Sequence, residues 1–172
     1  QARCASMTED GALSATLFVG FPHADIHNAG LSVVVVTDND KSLADLCVKA
    51  YNDWVLDEWC ASVPGMYVPM IIGQLWDPVA MADEIRRNAA RGARAVTFPE
   101  NPAPLDAPTL HDPYWDPFWR AAEERGTVIC MHIGSSSKLA MTTPDAPIDV
   151  LITLQPMNIV QAAADLVWSR VL

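Results

Sequence analysis

His132 ends the stretch of this chain richest in possible chemistry, Thr127-Val-Ile-Cys-Met-His132-Ile-Gly-Ser-Ser-Ser137. A neutral imidazole can ligate a metal, and near neutral pH it can act as a general base. In a purely structural role the same ring would only bond a loop carbonyl. Glu100 and Asn101 follow another apolar run. A carboxylate there could bind substrate or steer a proton, and the amide could contact substrate; the structural alternative is a solvated loop. His111 is a further candidate acid/base or substrate contact, set against a plain surface histidine. Ser135 lies in a Gly/Ser segment whose hydroxyls and N–H groups could contact substrate or hold an anion, without the spacing of a phosphate-binding loop. Ser135-Ser-Ser-Lys138 has the S-x-x-K spacing of an acyl-enzyme nucleophile, but the companion motifs are absent.

These residues need elements to position them, and the pattern supplies strand–helix alternation. An apolar run of four to six residues that breaks into small polar residues reads as a buried parallel strand and the loop at its carboxyl end. Chemistry in α/β sheets and barrels gathers at that end. Alternation puts His132, Cys130 and Val128 on one face and Met131 and Ile129 on the other. Earlier strands are predicted at Val33–Val36, from Met70 within the Val68–Leu75 run because of Pro69, and at Ala93–Phe98. Gln74 ends the second of these runs and reads as structural.

Helices are predicted near 42–61, from Asp77-Pro78 to Gly92, from Asp116-Pro117 to Gly126, and from about 147 to the end with a break at Pro156. On the first, Leu43, Leu46, Cys47, Ala50, Tyr51, Trp54 and Val55 recur at three and four, which predicts the buried stripe. Trp54, Trp59, Trp115, Trp119 and Trp168 are expected to bury rather than bind ligand. Long loops at 99–113 and 133–146 follow strands, and residues 1–32 carry little periodicity and read as irregular.

The chain has 172 residues, 51% of them apolar, enough for one domain with a core. A net charge of −10 argues against nucleic acid or an anionic membrane as partner. No apolar run approaches the roughly 20 residues of a membrane span, and no basic-then-apolar leader opens the chain, so the cytoplasm is expected. Cys4, Cys47, Cys60 and Cys130 have no C-x-x-C pair; Cys47 and Cys130 are expected to act as small buried hydrophobes. The chain starts at Gln1 and stops within an uncapped helical pattern, which reads as part of a longer protein.

Tyr51-Asn-Asp-Trp54, Leu75-Trp-Asp-Pro78, Arg86-Arg-Asn-Ala-Ala-Arg-Gly92, Ala95-Val-Thr-Phe-Pro-Glu-Asn101, Tyr114-Trp-Asp-Pro-Phe-Trp119 and Cys130-Met-His-Ile-Gly-Ser-Ser136 together resemble the amidohydrolase-related family. The resemblance is to its branch related to aminocarboxymuconate-semialdehyde decarboxylase and covers about residues 41–172. It implies an α/β fold, the (β/α)8 TIM barrel, of which strands 2–5 and their helices would lie in residues 33–172. It also implies a divalent metal, zinc first and manganese second. His132 matches the family's metal-binding histidine at the end of the fifth strand, with the Val33 run counted as strand two. The family's first-strand H-x-H or E-x-H pair and its eighth-strand aspartate have no counterpart here, as expected of a partial copy.

The implied activity is hydrolysis or non-oxidative decarboxylation of a small carboxylate or cyclic substrate. Alternatively, a half-barrel that binds or pairs without catalysis would dimerise to cover its two open strand edges. A homo-oligomer, specifically a dimer, is expected, with a small molecule as the other partner.

Overall fold

The structure, a computed structural model, describes residues 15–16, 41–132, 135–136, 140–169 and 171. The Val33–Val36 run, Cys4 and Lys138 lie outside the described residues. Five strands are described: β1 (Ala15–Thr16), β2 (Tyr67–Val68), β3 (Met70–Ile71), β4 (Ala95–Pro99) and β5 (Val128–His132). The α-helices are α1 (Lys41–Trp54), α2 (Pro78–Ala89), α3 (Asp116–Arg125), α4 (Ile148–Leu154) and α5 (Met157–Trp168).

All described pairings are parallel, β1 with β2 and β3–β4–β5 in order. Pro69 explains the division of the 67–71 segment between two neighbours. It has no N–H to give a ladder, yet its carbonyl accepts from Arg94 at 2.9 Å and Ala95 at 3.3 Å. Pairing therefore reaches β4 from Met70 as expected, while Tyr67 and Val68 pair on the β1 side. Ala15–Thr16 pairs as strand; they are the described residues of the 1–32 segment.

The Asp77 side chain caps α2, accepting from Val79 N at 3.0 Å and Ala80 N at 2.9 Å, and Gly92 leaves the helix at φ 106°. The next helix begins at Asp116 as predicted, but Asp116 is its first helical residue and not its cap. Asp112 caps the 3-10 turn that leads into it (Pro113–Trp115), accepting from Tyr114 N at 2.8 Å. Two Asp-Pro pairs four residues apart compete here, and the first sits in extended backbone where a cap must be.

On the sheet's helix side Ile71, Val96, Phe98, Ile129 and Met131 meet α2 and α3 through Met81, Ile85, Phe118 and Ala121. Phe98 stacks on Phe118 at 4.8 Å and takes the edge of Trp115 at 5.0 Å.

The predicted stripe of α1 is rotated. Ala44, Val48, Asn52 and Val55 are buried, while Leu43, Leu46, Cys47 and Trp54 are exposed. A buried asparagine moved the seam: Asn52 spans the backbone of Ile72, accepting from its N and donating to its O at 2.9 Å each. Past Trp54 the helix continues as a π turn (Val55–Trp59) and a 3-10 turn (Cys60–Ser62). Trp168, 80% exposed, also departs from the expected burial.

Two of the quoted motifs form one polar lock. Buried Glu84 accepts from Asn52 (2.9 Å), Asn88 (2.7 Å) and Arg87 (2.6 Å). Asp53 takes Arg87 at 2.7 Å and also Arg91, and Asp57 takes Arg91 at 2.6 Å. Burial alone would raise the Glu84 carboxyl, but the hydrogen bonds from Arg87, Asn52 and Asn88 outweigh it and hold its pKa below the ordinary value.

Ile148–Trp168 is 21 residues long and apolar enough, by length and composition alone, to cross a membrane, contrary to the sequence expectation. The helical backbone runs on through the Gln155–Pro156 turn, so two short helices pass as one. Asn158, Ala162 and Leu166, spaced by four, turn inward on α5, and Ile159, Val160 and Val167 stay exposed.

Candidate functional site

In the β4–β5 register Ala95, Thr97 and Pro99 pair with Val128, Cys130 and His132. These six lie on the sheet face away from Phe98 and Met131. His132 is exposed at the carboxyl end of β5, and Val128 on the same face is 61% exposed. Cys130 is half-buried, and burial pushes its thiol pKa up. Thr97 Oγ1 is buried without a hydrogen-bond partner among the described residues.

Glu100 and Ser135 meet, but not in the open. Glu100 is 2% exposed, so the solvated-loop alternative is excluded; Ser135 and Ser136 are buried with it. The Ser136 hydroxyl donates to Glu100 Oε1 at 2.7 Å, the Ser135 hydroxyl donates to the other carboxylate oxygen, and Asn158 Nδ2 lies 3.5 Å from Oε1. Asn101 Oδ1 accepts from Ala103 N at 3.1 Å and so holds its own loop turn. His111 Nε2 meets Asp165 of α5 at 3.2 Å. It lines a cleft of about 660 Å³ with Trp119, Thr127 and Ile129, on the helix side of the sheet.

Of the five candidates, Glu100, Ser135 and the His132 backbone are therefore brought together. Asn101 borders the same small pocket as Glu100, and His111 faces the cleft. Residues not anticipated are Ser136, Asn158 and Thr97. Asn158 had a signal, a lone amide in the apolar Met157-Asn-Ile-Val160 run. Gln74 is buried, donating from Nε2 to Asp45 at 2.7 Å while its Oε1 finds no partner among the described residues.

Among the described residues no group of three or more His, Cys, Asp or Glu gathers around one point. His132 fits one position of a metal site: its side chain is exposed, at a strand's carboxyl end, where a neutral ring nitrogen can reach an ion.

A parallel array of strand–helix units with a histidine at the carboxyl end of a strand defines an arc of a (β/α)8 barrel. The sequence profile of the amidohydrolase family matches residues 12–167, and the chain belongs to that family. No curated protein sequence matches it. Among solved structures it resembles an amidohydrolase from Mycobacterium avium subsp. paratuberculosis K-10, with TM-score 0.70 and 25% identity over 98% of this chain and 43% of that one. It resembles 5-carboxyvanillate decarboxylase from Novosphingobium aromaticivorans DSM 12444, solved with manganese, at TM-score 0.60 and 24% identity over 96% and 39%. For 2,6-dihydroxybenzoate decarboxylase from Rhizobium the values are 0.64 and 18% over 96% and 50%.

The chain thus spans about half the length of the solved structures it matches. The fold is the TIM barrel, present here in part. Among the described strands, Ala15–Thr16 pairs beside the 67–71 segment, and β4 and β5 follow it in order, with His132 at the end of β5.

Proposed function

We propose that this chain carries strands two to five of a metal-dependent amidohydrolase-family enzyme acting on a small carboxylate or cyclic substrate. The carrying observation is His132, exposed at the carboxyl end of β5 in a chain of this family. Non-oxidative decarboxylation is favoured over hydrolysis, because two of the solved structures resembled above are decarboxylases of small aromatic acids.

In the proposed site His132 would hold a divalent ion, zinc or manganese, through one ring nitrogen. Such an ion supplies Lewis acidity to a substrate oxygen or lowers the pKa of a bound water. The chain's own residues set the place. The ladder to Pro99 fixes the backbone of His132, and the face it shares with Cys130 and Thr97 offers a mixed apolar and hydroxyl wall. In decarboxylation the bond to the carboxyl carbon breaks, its electron pair stays on the substrate carbon, a proton joins that carbon and carbon dioxide leaves.

The test is zinc and manganese titration of the intact protein and of its His132→Ala variant, with circular dichroism to confirm the fold. Loss of tight binding with unchanged dichroism is expected, and unchanged affinity sinks the assignment. Carbon dioxide release from hydroxybenzoates, set against ester, lactone and amide cleavage, separates the two reactions.

A second reading has its own observation. The β5 edge and the apolar residues Ile148, Ile152, Ile159, Val160 and Trp168 are exposed, which suits a homodimer that covers them. Sedimentation velocity showing only monomer at micromolar concentration would discard it.

A further inference from the structure

We infer that Glu100 is a positioning residue: its buried carboxylate staples the Ser135–Ser136 turn to the end of β4, and that turn holds the strand end carrying His132. The inference deepens the proposal above and rests on His132 as the ligand. Glu100 immediately follows Pro99, the register partner of His132, so the two strand ends lie side by side. Its N–H donates to Ser135 Oγ at 3.0 Å, and the Ser135 hydroxyl donates back to the carboxylate. The Ser136 hydroxyl donates to the other oxygen at 2.7 Å, joined by Asn158 Nδ2 at 3.5 Å. The Ser135 N–H in turn donates to the His132 carbonyl at 3.1 Å. The backbone of His132 is therefore pinned from one side by the β4 ladder and from the other by a turn that Glu100 holds.

The chemistry of the group agrees with this role. An ionised carboxylate only accepts, and two serine hydroxyls and an amide are all donors. A buried carboxylate needs such donors. The pocket it borders, with Asn101, Ser136, Asn158 and Asp165, has a volume of about 10 Å³. That is room for a water and not for a substrate. Glu100 is thereby removed from the acid/base role its sequence position suggested.

The test compares the intact protein that carries this chain with its Glu100→Gln, Ser135→Ala and His132→Ala variants. Two quantities are read, hydrogen exchange of the Ser135 amide without metal and the zinc or manganese affinity. Glutamine keeps the shape of Glu100 but turns one acceptor into a donor that faces a serine hydroxyl. Exchange at Ser135 should rise about tenfold or more in Glu100→Gln and in Ser135→Ala, with Val96 and Ile129 still protected. Metal affinity should fall as well, by less than the roughly ten- to hundredfold that follows removal of a bond to the ligand's own side chain. His132→Ala should lose metal affinity and keep Ser135 protected.

Unchanged Ser135 exchange in both staple variants overturns the inference. Should His132→Ala bind metal as the wild type does, the ligand reading fails, while the exchange rates still decide the staple. If Glu100→Gln loses protection everywhere, Ser135→Ala, which keeps the carboxylate, decides in its place.

Discussion

Replacing Asn52 with alanine should destabilise this chain more than any exposed substitution on the same helix. Asn52 is fully buried and makes three hydrogen bonds of 2.9 Å: to Ile72 O, from Ile72 N, and to Glu84. Ile72 lies just past β3, where the ladder to β4 has stopped at Ile71, so the side chain substitutes for the missing strand partner. Alanine leaves the Ile72 N–H and C=O without these partners and removes one donor from a buried carboxylate. At about 1–3 kcal/mol for each buried group left unpaired, the loss is roughly 3–5 kcal/mol after partial relaxation. For a chain of this size that is a fall in Tm of roughly 6–20 °C. Urea unfolding followed by far-ultraviolet dichroism, with the slope checked for constancy, reads it directly. A loss below about 1 kcal/mol would mean that water or a shifted backbone satisfies Ile72. Asn52 would then not be what rotates the seam of α1.

Acid should weaken the chain through Glu84. Its pKa is held below the ordinary 4.5 in the fold, so the stability it adds is present above that value and is lost as pH falls through the folded value. The urea midpoint should decline below about pH 4.5, and Glu84→Gln should flatten that decline while lowering stability at neutral pH; an unchanged profile would refute the assignment. Phe98→Ala should cost about 3–5 kcal/mol, since it empties the space between Phe118 and Trp115. Trp54→Ala, on the exposed face of α1, should stay within about 1 kcal/mol. Equal losses in the two would contradict the observed core.

The sequence by itself determined the strand–helix alternation, the Asp77-Pro78 start and Gly92 end of α2, and His132 at the end of β5. Each is encoded within a few residues: a cap, a fixed proline φ, a left-handed glycine, an apolar run that stops. Tertiary structure decided what depended on distant partners. The stripe of α1 could not be read from apolar spacing, because its seam is set by Asn52 reaching Ile72, 20 residues away. Pro69 read as a weak strand start, yet the 67–71 segment pairs with β1 on one side and β4 on the other. The fate of Glu100 turned on Ser135 and Ser136, 35 and 36 residues later. A carboxylate past a strand end looks the same in sequence whether it meets solvent, substrate or two serine hydroxyls. Only the packing of the next strand and its turn supplies the donors that choose among them.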